Sequence, residues 1–217
     1  MKKIMFNDRY GLTQAVIEGR KTMTRRLINP MPKDCAAVHK NCWGADWSDK
    51  PMSLVVDRDT GGIYCEYCGN GVRLYDGGYH YKTQYKVGEV VAVAQSYEAA
   101  GFDPEYSIEG MLYAKKHAGW RNKMFVSAKY MPHQIRITGI KCERLQDISD
   151  EDCLKEGLEW QHGANMFYVN SNITNNSHEW LGGTPREAFA ALIDKVSGRG
   201  TWDGNPWVEA YEFDLLK

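Results

Sequence analysis

The sequence lacks the features that would place the chain in a membrane or on a polyanion. No apolar run approaches the roughly 18 residues that a membrane-spanning helix needs. The 27 Lys and Arg residues are offset by 28 Asp and Glu residues, which leaves a net charge of −1. The opening MKKIMFNDRY is too polar for a signal peptide. We therefore expect a soluble, cytoplasmic protein without a membrane partner, in which any recognition of an anion is local.

Prolines and cysteines are also few, with 7 and 6 among 217 residues. The length and the ordinary apolar content suit one domain over residues 1–217. Residues 30–82 are dominated by Pro, Gly, Asp, Asn, Tyr and Cys and have only short apolar runs, which predicts an insertion outside the main core. Residues 159–183 are rich in Asn and Gly and predict a second insertion, a long loop.

The cysteines of the first insertion are spaced like metal ligands. Cys65 and Cys68 form a C-x-x-C turn, and Cys42 with either Cys35 or His39 could complete a tetrahedral set. A structural zinc ion would stabilise a segment too polar to bury its own core, because metal binding supplies folding free energy. Reduced surface thiols or a redox pair are the alternative, since the chain shows no export signal that would favour disulfides.

Hydrophobic patterns elsewhere predict a mixture of strands and helices. The clearest helix is TPREAFAALIDKVSGRG, with Thr184 at the N-cap, Pro185 at the first position and Glu187 closing a capping box. Ser149 caps a shorter helix, ISDEDCLKEGL. The predicted strands include KTMTRRLI, KVGEVVAVAQSY, GMLYAK, HQIRITGIKCERL and NPWVEAYEFDLL. Together these elements predict an α+β domain around a small, strongly curved sheet or barrel.

One short stretch, EGRKTMTRR, concentrates basic residues and threonines in a nearly neutral chain. A lysine acts as a base only when neutral, and at an ordinary pKa of ~10.4 neutrality at pH 7 costs about 4.6 kcal/mol. The neighbouring Arg20, Arg25 and Arg26 would lower the pKa of Lys21, as would burial. A lysine of this kind beside Thr24 is a nucleophile–base arrangement. The alternative interpretation is a solvated basic turn.

The spacing of these two residues sets a geometric condition. In a regular strand, Lys21 and Thr24 would point to opposite faces. Both side chains can reach one pocket only if the chain bends just after Gly19, or if the lysine stem wraps around the strand.

Four segments in order resemble the ASCH domain family of the PUA-like superfamily: EGRKTMTRRLI, YKVGEVVAV, KYMPHQIRITGIKCERLQDISDEDCLKEGL and GTWDGNPWVEAYEF. They are most similar to the longer phage and Bacteroides-type members. The resemblance implies a PUA-like small β-barrel flanked by helices, here carrying the cysteine-rich insertion. It also implies RNA binding, with which this fold is associated.

The resemblance extends, more distantly, to small bacterial members of the family, which are N(4)-acetylcytidine amidohydrolases. It implies that Lys21 acts as the base, Thr24 as the nucleophile and Glu156 as the proton donor. The expected substrate-binding residues are Arg20, Arg25, Arg26 and His133.

Two functions therefore remain open. The first, slightly favoured, is recognition of RNA or of a modified nucleoside or nucleotide in a basic pocket, without turnover. The second is an amidohydrolase that deacylates N(4)-acetylcytidine or a related amide through the Lys, Thr and Glu residues.

Overall fold

The computed structural model describes residues 1–28, 53–66, 81–102, 116–171 and 177–216. Four of the predicted zinc ligands, Cys35, His39, Cys42 and Cys68, lie outside these ranges, as does the predicted strand GMLYAK. The described part of the chain confirms the α+β class.

The strands and helices are numbered here in chain order. The described strands are β1 (Lys3–Ile4), β2 (Met23–Leu27), β3 (Leu54–Val56), β4 (Ile63–Cys65), β5 (Val90–Val93), β6 (Gln134–Arg144), β7 (Glu159–Gln161), β8 (Met166–Ser171), β9 (Ser177–Gly182) and β10 (Trp207–Leu216). The α-helices are α1 (Leu12–Ile17), α2 (Asp150–Lys155), α3 (Pro185–Ser197) and α4 (Thr201–Gly204). Short 3-10 turns cover Asp8–Tyr10, Lys123–Phe125, Ala128–Tyr130 and Leu145–Asp147.

The central sheet has the strand order β1-β5-β6-β10-β2. β1 and β5 are parallel, and the other neighbours are antiparallel. The long pair of β6 and β10 contains a register shift between Glu212 and Phe213, and such bulges increase the local twist of a sheet. β1 and β2 are the edges and do not pair with each other, so the described residues form an open, mixed sheet and not the predicted closed barrel.

The predicted long loop at 159–183 is wrong. β7, β8 and β9 form a three-stranded antiparallel sheet in this region. Phe167 and Val169 are buried, whereas Tyr168 between them is partly exposed and Asn170 is exposed, which is the alternation of a half-buried strand. The Asn and Gly content that suggested a loop belongs in part to the turn before β8, where Asn165 has a φ of 54°. The high Asn and Gly content of this segment thus concealed the alternation of buried and exposed residues that marks a strand.

The two predicted helix starts are confirmed. The Thr184 side chain accepts a hydrogen bond from the Glu187 N–H. The Glu187 side chain accepts one from the Thr184 N–H, which completes the capping box of α3. The Ser149 side chain accepts from the Asp152 N–H at the start of α2.

The largest core cluster lies between the central sheet and the helices. Val91 and Ile135 from the sheet pack in one cluster with Val16 of α1, Cys153 of α2 and Phe189 of α3. α2 contacts both α3 and β2, and residues of β2, of α3 and of the end of α2 line the site described next. None of the described helices is both long enough and apolar enough to cross a bilayer.

Candidate functional site

A sharp turn separates α1 from β2 and sets the position of Lys21. Gly19 has a φ of 75°, in the left-handed region that glycine adopts without strain. The N–H groups of Arg20 and Lys21 then both donate to the Ala15 carbonyl oxygen, at 2.9 Å each. The chain thus bends just after Gly19 and becomes extended only at Met23.

Lys21 and Thr24 consequently line one cleft of about 350 Å³. The residues after β1, Met5 to Asn7, line this cleft together with Thr24 to Leu27 of β2. The central sheet therefore curves far enough to bring its two edges to the same cavity. Of the predicted site residues, the cleft collects Lys21, Thr24, Glu156, Arg25 and Arg26.

The remaining wall of the cleft is apolar and comes from α3. Leu192 and Ile193 contribute to it, together with Val196 one helical turn further along the helix. Val196, Met5 and Leu27 are 37%, 40% and 39% exposed, and all three lie on the cleft. The cavity is therefore amphipathic, with charged groups along β2 and hydrocarbon opposite.

Lys21 and Glu156 form a buried ion pair inside this cleft. Lys21 is 2% exposed and Glu156 is 4% exposed. The Lys21 Nζ donates to Glu156 Oε2 at 2.5 Å and to the Glu156 main-chain oxygen at 2.8 Å. Burial lowers the pKa of Lys21, and the charges of Arg25 and Arg26 act in the same direction, while Glu156 opposes them. The predicted effect of the arginines is thus present, but burial is the larger cause.

The end of α2 is shaped to hold this pair. Glu156 is the C-cap of α2, and Gly157 follows with a φ of 96°. A side chain at Gly157 would strain the backbone, and its Cβ would lie 3.3 Å from the Lys21 Cβ and 3.4 Å from the Ala15 Cβ. The sequence KEGL therefore combines a helix stop with a tight contact to the lysine stem.

Arg25 lies at the centre of a network of carboxylates. Its side chain is 0% exposed and bonds to Glu143 Oε1 at 2.7 and 2.9 Å, to Asp152 Oδ2 at 3.1 Å and to Glu156 Oε1 at 3.0 Å. Burial would lower the pKa of Arg25, but the Glu156 and Glu143 carboxylates outweigh burial and raise it. Arg25 thus holds Glu156 in place, and its expected contact to substrate stays a prediction.

Arg26 is less completely bonded. Its Nη2 donates to the Met5 main-chain oxygen at 2.8 Å, which ties the two edges of the sheet together. Its Nε is buried and has no acceptor among the residues that the structure describes. Arg26 lines the cleft and therefore has one N–H group there that is not hydrogen-bonded to any described residue.

The structure does not bring Arg20 and His133 to this cavity. Arg20 bonds to Glu18 at 2.5 Å and to Glu159 at 2.8 Å. The His133 Nδ1 lies 2.8 Å from the Gln95 Oε1, and neither His133 nor Gln95 lines the cleft.

The zinc prediction is represented in the described ranges by one residue, Cys65. Cys65 is 1% exposed on β4 and pairs in register with Leu54 of β3. Within these ranges no three His, Cys, Asp or Glu side chains are grouped so that they could hold a metal ion. The zinc site thus stays a prediction.

Sequence reasoning missed three acids that surround β2. Glu143 and Asp152 were interpreted only as parts of a strand and a helix, and Glu209 was not considered. A signal for Glu209 is present in WVEAYEF, because a carboxylate stands between residues that the strand buries, Val208 and Ala210.

No protein-family model matches this chain, and no curated protein and no solved structure is similar to it at a significant level.

Proposed function

We propose that the cleft hydrolyses an amide, with N(4)-acetylcytidine or a related acylated nucleoside as substrate. The observation that carries this proposal is the buried contact of 2.5 Å between Lys21 Nζ and Glu156 Oε2, in a cleft that Thr24 also lines. A base, an acid and a hydroxyl nucleophile are the three groups that acyl transfer through a covalent intermediate requires.

Because Lys21 Nζ and Glu156 Oε2 are in hydrogen-bond contact, the transfer of one proton between them can make Lys21 a base and Glu156 an acid. As an ammonium and a carboxylate, Lys21 cannot take the proton of the Thr24 hydroxyl and Glu156 cannot protonate a leaving nitrogen. Transfer of one proton from Nζ to Oε2 produces a neutral amine at Lys21 and a carboxylic acid at Glu156, without a change of net charge. Burial lowers the pKa of Lys21 and so favours its neutral amine, because desolvation penalises the charged form.

The reaction then balances in two halves. The Thr24 oxygen attacks the acyl carbon as Lys21 takes the hydroxyl proton, and the C–N bond breaks as Glu156 protonates the departing nitrogen. Water attacks the acyl-enzyme next, giving its proton to the Glu156 carboxylate while Lys21 returns a proton to Thr24. Both residues end in the protonation states in which they began.

Two further features of the cleft support an amide substrate. Arg26 lies two residues from Thr24 on the same strand, so both side chains project from one face, and Arg26, which also lines the cleft, is a donor for the developing oxyanion. The apolar wall of α3 suits the flat face of a base and restricts water.

Recognition of RNA or of a modified nucleotide without turnover is the second candidate, and Arg26 is the residue that favours it. Lys21 and Arg25 contribute less to such a site, because carboxylates already bind both. Binding through this cleft would therefore depend on one guanidinium and on stacking.

Turnover of N(4)-acetylcytidine tests the proposal. Lys21→Ala and Thr24→Ala are each expected to lower kcat/KM by about 10²-fold or more. Thr22→Ala is the matched control, since Thr22 precedes β2 and does not line the cleft. Failure of the wild-type protein to release acid from a panel of acylated nucleosides would contradict hydrolysis, and equal rates for the Thr24 and Thr22 variants would exclude the nucleophile.

A further inference from the structure

Three of the four cations of EGRKTMTRR form ion pairs with carboxylates from elsewhere in the chain. Glu156 binds Lys21, Glu143 and Asp152 bind Arg25, and Glu159 binds Arg20. Arg26 has no ion pair of this kind among the described residues, yet its cross-strand neighbour in the sheet is also an acid, Glu209 of β10.

Glu209 is a buried carboxyl that is only partly satisfied. It is 3% exposed. The Tyr211 hydroxyl donates to its Oε2, and the Tyr81 hydroxyl also bonds to the carboxyl group. Its Oε1 is buried and has no partner in the described part of the chain. Arg26 and Glu209 thus each have one buried polar atom that no described residue pairs with.

The register of the sheet places these groups on the face that carries the nucleophile. Directly opposed residues of an antiparallel pair project from the same face, and residues two apart on a strand do so as well. The opposed pairs are Arg26 with Glu209 and Thr24 with Tyr211. Gln84 lines the cleft, and its N–H donates to the Tyr211 hydroxyl at 3.0 Å. Glu209 therefore lies beside Arg26 on the face that carries Thr24, although it does not itself line the cleft.

Some of the groups around Glu209 raise its pKa and others lower it. Burial raises the pKa of Glu209, whereas hydrogen bonds from Tyr211 and Tyr81 and the charge of Arg26 favour the carboxylate. The other ionisable group opposite it is the Cys142 thiol on β6, whose pKa burial raises, so this thiol is neutral at ordinary pH.

We propose that Glu209 is a specificity-determining residue that restricts the cleft to ligands without negative charge at the Arg26 end. The inference rests on the proposed function only in taking this cleft as the ligand site. An anion beside Arg26 would lie close to a second buried negative charge in a medium that screens poorly, so the attraction of the guanidinium is cancelled. A neutral carbonyl or hydroxyl oxygen can still accept a hydrogen bond from the Arg26 guanidinium.

Sulfate is the probe, because it does not titrate near neutrality and is not hydrolysed. Calorimetric titration at mildly alkaline pH is expected to show no Arg26-dependent binding of sulfate to the wild-type protein. Glu209→Gln keeps the size of the side chain and removes its charge, and it is expected to strengthen sulfate binding by about tenfold or more. Arg26→Ala in the Glu209→Gln background should remove that gain.

Glu212→Gln is the control, since Glu212 belongs to the same strand and its side chain is 46% exposed and pairs with Lys155. An equal gain in this control, or no gain in Glu209→Gln, would overturn the proposal. If Glu209→Gln does not fold, the wild type and Arg26→Ala decide the question. The proposal is contradicted if the wild type binds sulfate and Arg26→Ala abolishes that binding. It is supported if the wild type shows no sulfate binding that depends on Arg26. Because no turnover is measured, this result is separate from the outcome of the hydrolysis test.

Discussion

Two buried carboxylates, Glu156 and Glu209, flank β2 and are satisfied in opposite ways. Both oxygens of Glu156 bond to cations, Lys21 and Arg25. Glu209 bonds to tyrosine hydroxyls through one oxygen and leaves the other without a partner among the described residues. The first carboxylate is part of a closed ionic cluster that can move a proton within itself. The second supplies a charge that acts at a distance on Arg26.

The largest effect is expected at Glu156. Glu156→Ala leaves the buried charges of Lys21 and Arg25 without a shared partner, and breaking a buried pair in this way costs about 3–5 kcal/mol of unfolding free energy. Glu212→Ala removes an exposed ion pair and should cost about 0–1 kcal/mol. Urea unfolding of both variants measures the difference, and similar losses would show that the Glu156 cluster does not stabilise the fold.

A smaller effect, and a different pH dependence, is expected at Glu209. Burial raises its pKa above the ordinary value of 4.5, so the folded state holds this proton to higher pH than the unfolded state does. The stability that it contributes is therefore complete below pH 4.5 and is lost as the pH rises through the folded pKa. Glu209→Gln cannot titrate, and its unfolding free energy should fall less than that of the wild type over this range. Parallel pH profiles for the two proteins would contradict the raised pKa.

The smallest effect is expected on the apolar wall, which neither carboxylate touches. Val196→Ser exchanges hydrocarbon for a hydroxyl in a side chain that is already 37% exposed, so stability should change little. We expect KM for N(4)-acetylcytidine to rise about three- to tenfold with kcat nearly unchanged. Val55→Ser, at an exposed position on β3 away from the cleft, is the control. Equal KM values for the two variants would show that the nucleobase of the substrate does not bind against α3.

Local sequence patterns predicted the elements that hold the site. The capping residues of α2 and α3 and the extended segment at β2 are where the patterns indicated, because caps and alternation depend on neighbouring residues. The bend after Gly19 was recognised as a condition for a shared pocket, and the structure has it.

The pairing of charges could not be predicted in the same way. Arg25 and Glu143 are 118 residues apart in the chain, and the contact depends on the register of β2, β10 and β6. For this reason the basic stretch was expected to present free arginines, whereas the fold surrounds most of them with acids. Exclusion of Arg20 and His133 from the cleft has the same cause, since their positions depend on tertiary contacts.

The central claim is that Thr24 receives the acyl group in a cleft where Lys21 and Glu156 exchange a proton. The most direct measurement is peptide mass mapping of the protein quenched with acid during turnover of N(4)-acetylcytidine, with Thr24→Ala measured in parallel. One acetyl group is expected on the peptide that contains Thr24, and none in Thr24→Ala. Deacetylation that continues unchanged in Thr24→Ala, or an acetyl group on another residue, would contradict it.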